Sequence, residues 1–371
     1  MHFTVKKSDF LSAIQQVSKV TSSRSTIAIL NNILFDLNGD TLALRSSDIE
    51  ITMCTKLTVS GKMDGCYALP MRMILDIINE IEEETVEFKA SPDGLIKIFA
   101  GKGVYDIMSR PGEEFPSIPK IKEIKHLLIN NKTLNRLISK SIIAVSRDEM
   151  KPSLMGVLFE IHNEGTRAVA TDGHRLVCIK RSDFISEDFT GTVIIPTKFL
   201  NLLLGYLGGD GVTSLIIGEN HVKVTCDTME IYSRIIDERF PDYESVIPKD
   251  NNNILLLSIS SCLSVLRRIS LFSNRTTKQI TIDLKQSVAK LSTRNQEAMT
   301  SADEEMNIDY KGNEMTIGFN ADYLRDILKI VDTDSACIKI NTPTTACVVE
   351  PEEQELNEEL IMLLMPIRIN D

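Results

Sequence analysis

The chain has 371 residues, 43% hydrophobic and 25% charged, and 41 Lys+Arg against 52 Asp+Glu give a formal net charge of −11. This composition excludes a disordered or low-complexity chain, and no apolar run approaches the ~18 residues of a membrane span. The acidic total argues, on its face, against a nucleic-acid partner.

The opening stretch, 1–7, alternates apolar and polar residues and lacks the apolar segment of a secretory signal. A first helix is expected over Ser8–Val20, where Phe10, Leu11, Ile14 and Val17 share one face. Alternating runs at Thr41–Leu44, Val86–Phe88 and Ile96–Phe99 predict half-buried strands, with tight turns at Asn38-Gly39 and Asp93-Gly94. A second helix is expected over Pro70–Ile81. Helical spacing returns at Thr133–Val145 and Pro196–Leu207, followed by a strand-like Val222–Val224. The last third offers Ser261–Phe272, a strand at Met315–Ile317, and Asn320–Val331. Pro or Asn stands where each second helix should start. The closing run Ile361–Ile369 reads as a final edge strand stopped by Pro366, which leaves Ile367 and Ile369 to line a surface groove. A Met-rich apolar groove suits several different partner peptides.

These elements repeat. Phe35 answers Phe159 and Asp48 answers Asp172, an offset of 124 in both cases, and a weaker third copy begins at Ile280. Glu-Phe-Pro-Ser-Ile-Pro at 114–119 answers Arg-Phe-Pro-Asp-Tyr at 239–243. The period is too long for a solenoid, so the units are domains. Each should be α+β, with two helices packed on antiparallel sheet. The expected domains are 1–122, 126–249 and 250–371. The seven cysteines form no CxxC pair and read as free thiols in a reducing cytoplasm.

The charge is unevenly placed. Residues 5–25 carry +3, 131–147 carry +4 and 258–278 carry +4, while the second helices carry −1, +1 and −1. The helical segments therefore hold +10 and the remainder −21. Residues 131–147 and 258–278 contain no acidic residue at all. A protein basic only on its helices suits a polyanion that meets those helices and is repelled elsewhere. No base-reading motif accompanies the pattern, so sequence-independent binding would follow.

Thr171-Asp172-Gly173-His174-Arg175-Leu176 is the most enzyme-like string. Asp172, His174 and Arg175 would be the acid–base set of a hydrolase or transferase, the alternative reading. The five histidines show no metal-binding spacing, and no nucleophile or phosphate-loop signature is present. No metal, cofactor or catalytic residue is therefore expected.

The three α+β repeats, Thr-Asp-Gly-His-Arg-Leu at 171–176, Phe-Pro-Asp-Tyr at 240–243, Gly-Phe-Asn at 318–320 and Met-Pro-Ile-Arg-Ile at 365–369 together resemble the bacterial DNA polymerase III beta subunit family, the sliding clamps. Phe-Thr-Val at 3–5 fits as well, and the resemblance spans the whole chain. It implies a DNA clamp fold of three tandem domains and a head-to-tail homodimeric ring. Twelve helices ~9 Å apart would line a bore of ~24 Å, against about 20 Å for B-DNA. The implied function is a non-catalytic processivity factor of the DNA-directed DNA polymerase III holoenzyme. It would act in DNA replication in the cytoplasm, associated with the nucleoid. Its implied partners are duplex DNA, the polymerase catalytic subunit, the clamp loader, and other polymerases and repair proteins bearing a short motif of Gln and apolar residues.

The resemblance also implies sites. The partner groove would be walled by Leu154, Thr171, Gly173, His174, Arg175, Leu176, Pro241, Val246, Leu363, Met365, Pro366 and Ile367. DNA contacts would include Arg24, Arg72 and Lys198, and the helical charge adds Arg136, Lys140 and Arg267. The dimer interface would join Tyr105 and Ile107 to Leu271 and Phe272. The chain departs from the family pattern in four places. Pro152-Ser153 replaces a Tyr pair, Met73 stands at a common lysine position, 296–305 is about two residues longer, and Asn370-Asp371 extend the C-terminus.

Overall fold

The computed structural model describes residues 1–21, 26–122, 125–186 and 189–369. Arg24 and the extension Asn370-Asp371 lie outside them. Six α-helices are described: α1 (Lys7–Ser18), α2 (Met71–Glu80), α3 (Asn131–Ser141), α4 (Thr197–Leu204), α5 (Ile259–Ile269) and α6 (Ala321–Lys329). Each begins within two residues of its predicted start. Predicted ends at Val145 and Phe272 overshoot, because 3₁₀ turns at Ile142–Ala144 and Ser270–Phe272 continue those helices. Asn320 caps α6, its side chain accepting from the N–H of Asp322 (2.9 Å) and Tyr323 (3.2 Å). Such a cap contributes ~1 kcal/mol.

The described residues form two compact units, 1–131 with 201–235 and 132–200 with 236–371. Each holds one nine-stranded sheet and one smaller sheet, and among the described residues the strands pair antiparallel. In the first unit, Ile51–Thr58 of the first repeat pairs with Met229–Arg234 of the second. In the second unit, Arg175–Arg181 of the second repeat pairs with Glu358–Leu364 of the third. Backbone pairing across repeat boundaries is why three sequence repeats condense into two units.

The core follows the helical periodicity. Helix α1 buries Phe10, Ala13, Ile14 and Val17. Phe10 joins Phe3, Phe35 and Phe88, whose ring centroids lie 4.9 to 6.5 Å apart. All four rings are fully buried, and truncating one to Ala costs ~3–5 kcal/mol. Helix α5 repeats the arrangement with Ile259, Cys262, Val265, Leu266 and Ile269.

Two local expectations change. Asn38 pairs with Thr41, so the tight turn is Gly39-Asp40 rather than Asn38-Gly39. Gly39 there adopts φ +55°, as the first central position of a type II′ turn requires. The closing strand Glu358–Leu364 is not an edge. It lies between Arg175–Arg181 and Cys347–Pro351. Its unbroken apolar run is the mark of a strand covered on both faces.

Candidate functional site

The string 171–176 closes a turn between two strands of the second unit. The Thr171 hydroxyl donates to the Arg175 carbonyl (2.7 Å) and accepts from the Gly173 N–H (3.1 Å). Asp172 Oδ1 accepts from the N–H groups of His174 (2.9 Å) and Arg175 (3.0 Å), and Oδ2 accepts from Arg175 Nε (3.0 Å). Both carboxylate oxygens are thus engaged in holding the turn. Asp172 orients no base, which removes the hydrolase or transferase reading of Asp172, His174 and Arg175.

Arg175 reaches onward to Asp326 of α6 (2.9 Å), and its guanidinium lies over the Tyr323 ring at 4.6 Å. The His174 ring also stacks on Tyr323, 6.0 Å away at 21°. These contacts make a rigid polar shelf. The C-terminal segment attaches to it, with Met365 N–H donating to His174 O and Ile367 N–H to Gly318 O, both at 2.8 Å. Pro366 ends the ladder between those two bonds, as Pro must.

Beside the shelf lies an apolar floor. Leu158, Leu176, Cys178, Tyr243 and Leu363 form a buried cluster, with Phe240 and Ile247 packed against it. Burial pushes the Cys178 thiol up to about 12, so it serves as an apolar floor group rather than a nucleophile. Next to the floor is a cleft of about 560 Å³ lined by Leu154, Pro241, Phe240 and the loop 150–153.

The groove residues fall into two sets. Leu154, Thr171, Leu176 and Leu363 are buried, whereas Gly173, His174, Pro241, Val246 and Met365 are exposed. Arg175, Pro366 and Ile367 are half-buried between them. Together they give an apolar floor edged by a mixed rim in which His174 and Arg175 are the polar members, an arrangement that would suit a short peptide. Tyr323 was missed by the sequence reading. In sequence it is one more apolar residue of an amphipathic helix, and its partner Arg175 lies 148 positions earlier in the chain.

The basic residues divide sharply. Arg72, Lys198 and Arg267 are exposed on their helices, and Arg72 makes a long ion pair with Asp76, at 3.9 Å. Arg136 and Lys140 overturn the expectation made for them. Arg136 binds Glu358, Asp332 (2.8 Å) and Glu355 (3.1 Å). Lys140 is buried and binds Asp332 (2.7 Å) and the Ile330 carbonyl. The Glu358 side chain is only 2% exposed and also accepts from Arg181 (3.1 Å). These two cations tie the second repeat to the third and are not presented to a polyanion.

The interface expectation needs one correction. Ile107 is 5% exposed and faces the core, while Val104, Tyr105 and Met108 of the same strand are exposed. That strand, Gly103–Met108, ends the five-stranded sheet, and Thr300–Asn307 ends the four-stranded sheet of the other unit. Leu271 and Phe272 are exposed beside the latter, where Thr300 Oγ1 donates to Phe272 O (3.1 Å).

Repeated α+β domains, with helix pairs on continuous antiparallel sheets, define the DNA clamp fold. Models of the DNA polymerase III beta subunit match 1–119 as its N-terminal domain, 128–242 as its central domain and 244–368 as its C-terminal domain. The chain belongs to this family. Beta sliding clamps of Pseudomonas putida and Escherichia coli are 26% and 28% identical to it, over the full length of both chains. The solved sliding clamp of Bacillus subtilis superposes with a TM-score of 0.93 at 26% identity, covering all of both chains. A Pseudomonas aeruginosa clamp bound to griselimycin gives 0.91 at 25%, again over both whole chains. The family is non-catalytic, in keeping with the structural use of Asp172. No described helix is long and apolar enough to cross a membrane.

Proposed function

We infer that this chain is a sliding clamp, a processivity factor that encircles duplex DNA and tethers the replicative polymerase. The observation that carries this reading is the segregation of two surfaces. One is the rigid groove of shelf and floor, and the other is the set of exposed cations on the helices. A groove with an apolar floor and a partly polar rim suits a short extended motif of Gln and apolar residues. Scattered lysines and arginines contact phosphates without reading sequence. The polymerase catalytic subunit, the clamp loader, and other polymerases and repair proteins would share the groove through such motifs.

Ring closure requires two copies, and the repeat itself supplies a register for them. Where the first repeat meets the second, Ser233 pairs with Ile51; where the second meets the third, Leu364 pairs with Arg175. Ile51 and Arg175 each open the strand after the turn, as Thr300 does in the third repeat. Met108 corresponds to Ser233 by the same offset of 125 that relates Phe115 to Phe240. Met108 of a second copy should therefore face Thr300, with Tyr105 near Leu271 and Phe272. Two such junctions close six domains head to tail.

Deleting Met365–Asp371 should abolish binding of a labelled peptide holding one Gln and three Leu or Phe residues. The mass in solution should stay near twice 41.5 kDa. Unchanged peptide affinity would put the groove elsewhere.

A further inference from the structure

The groove turn has a twin in the first repeat, 124 residues earlier. The Ser47 hydroxyl donates to Ile51 O and accepts from Ile49 N–H, both at 3.2 Å, as Thr171 does with Arg175 and Gly173. Asp48 Oδ1 accepts from the N–H groups of Glu50 (3.1 Å) and Ile51 (2.7 Å), as Asp172 does with His174 and Arg175. Arg234 N–H donates to Glu50 O (3.2 Å), matching Met365 and His174. Even the apolar floor recurs in reduced form. Leu34 and Phe115 occupy the places of Leu158 and Phe240, packed with Ala68 and Ile29.

The twins differ at their third residue. Gly173 has φ +89°, and a Cβ built there meets no atom within 4 Å. Ile49 has φ +82°, a region that a β-branched side chain enters only at a steric cost. Its side chain remains 52% exposed, so burial does not offset that cost. A strained, exposed residue held by a full set of hydrogen bonds points to a role outside folding.

We propose that the third residue of this turn selects which repeat accepts a partner peptide. Glycine at 173 leaves room for an extended peptide to lie against the turn, and the Ile49 side chain fills the equivalent volume in the first repeat. The proposal rests on the groove reading above. Because the same turn already holds an isoleucine at 49, Gly173→Ile should fold.

The test uses the full-length protein and the labelled Gln/Leu/Phe peptide, read by fluorescence anisotropy. Gly173→Ile should bind more than ~10-fold more weakly, with unchanged mass and a melting temperature a few degrees lower. Gly173→Asn, smaller and at ease at positive φ, should fall between it and wild type. In the reverse direction, isoleucine-methyl NMR at millimolar peptide should show Ile29 and Ile51 shifting in Ile49→Gly and not in wild type. Wild-type affinity in Gly173→Ile, or unshifted first-repeat methyls in Ile49→Gly, would overturn the proposal. Failure of the groove reading has a different signature: deletion of Met365–Asp371 would leave affinity intact, whatever stands at 173.

Discussion

Residues 131–147 and 258–278 each carry four basic residues and no acidic one, yet the two segments use them differently. In α3, Arg136 and Lys140 turn inward to Asp332 and Glu358 and bind the second repeat to the third. In α5, Arg267 stays exposed, and Arg268 meets Glu304 at a solvated surface. Formal charge on a helix therefore does not reveal its partner. Burial and the reach of each side chain decide whether a cation holds the fold or faces a ligand.

The largest expected effect lies at the junction between copies. Leu271→Asp combined with Phe272→Asp should halve the solution mass to 41.5 kDa, since both side chains are exposed and apolar. A variant that stayed at twice that mass would remove these residues from the interface.

The contrast between α3 and α5 comes next. Arg136→Ala leaves the buried Glu358 carboxylate with Arg181 as its remaining cation and takes a partner from Asp332, and the loss should show as a melting temperature well below that of Arg267→Ala. Arg267→Ala should leave stability within ~0.5 kcal/mol and instead reduce the salt dependence of DNA binding by ~1 in log–log slope. Arg72→Ala and Lys198→Ala should behave like Arg267→Ala. If Arg136→Ala changed the salt slope and spared stability, the division between the helices would be wrong.

The smallest effect is on acid stability. Burial pushes the Asp332 carboxyl up, but hydrogen bonds from Lys140 and Arg136 outweigh it and hold the group below its ordinary value. A carboxyl depressed in the folded state stabilises above its unfolded value of ~3.9, and that contribution is lost as pH falls through the folded value. Asp332→Asn should therefore melt below wild type at neutral pH, with the gap narrowing as pH falls below the unfolded value of ~3.9. A gap independent of pH would contradict this.

Much of the fold was legible because it is local or repeated. Stripes such as Phe10, Ile14 and Val17 mark helices, and the offset of 124 exposes the domains without any partner information. What stayed hidden is long-range. Arg136 and Glu358 are 222 positions apart, and no local pattern distinguishes an arginine with such a partner from a free one. The same holds for Tyr323 under Arg175. Ile107 was misplaced because the resemblance points to a strand of the interface without saying which of its side chains the core takes. The groove turn was visible as a motif, but its hydrogen bonds alone separate a scaffold from catalytic machinery.

The account stands on retention by topology. The protein loaded onto nicked circular DNA should remain bound through gel filtration at moderate salt, and linearising that DNA should release it. Equal retention on the circular and the linear template would contradict encirclement and with it the clamp mechanism.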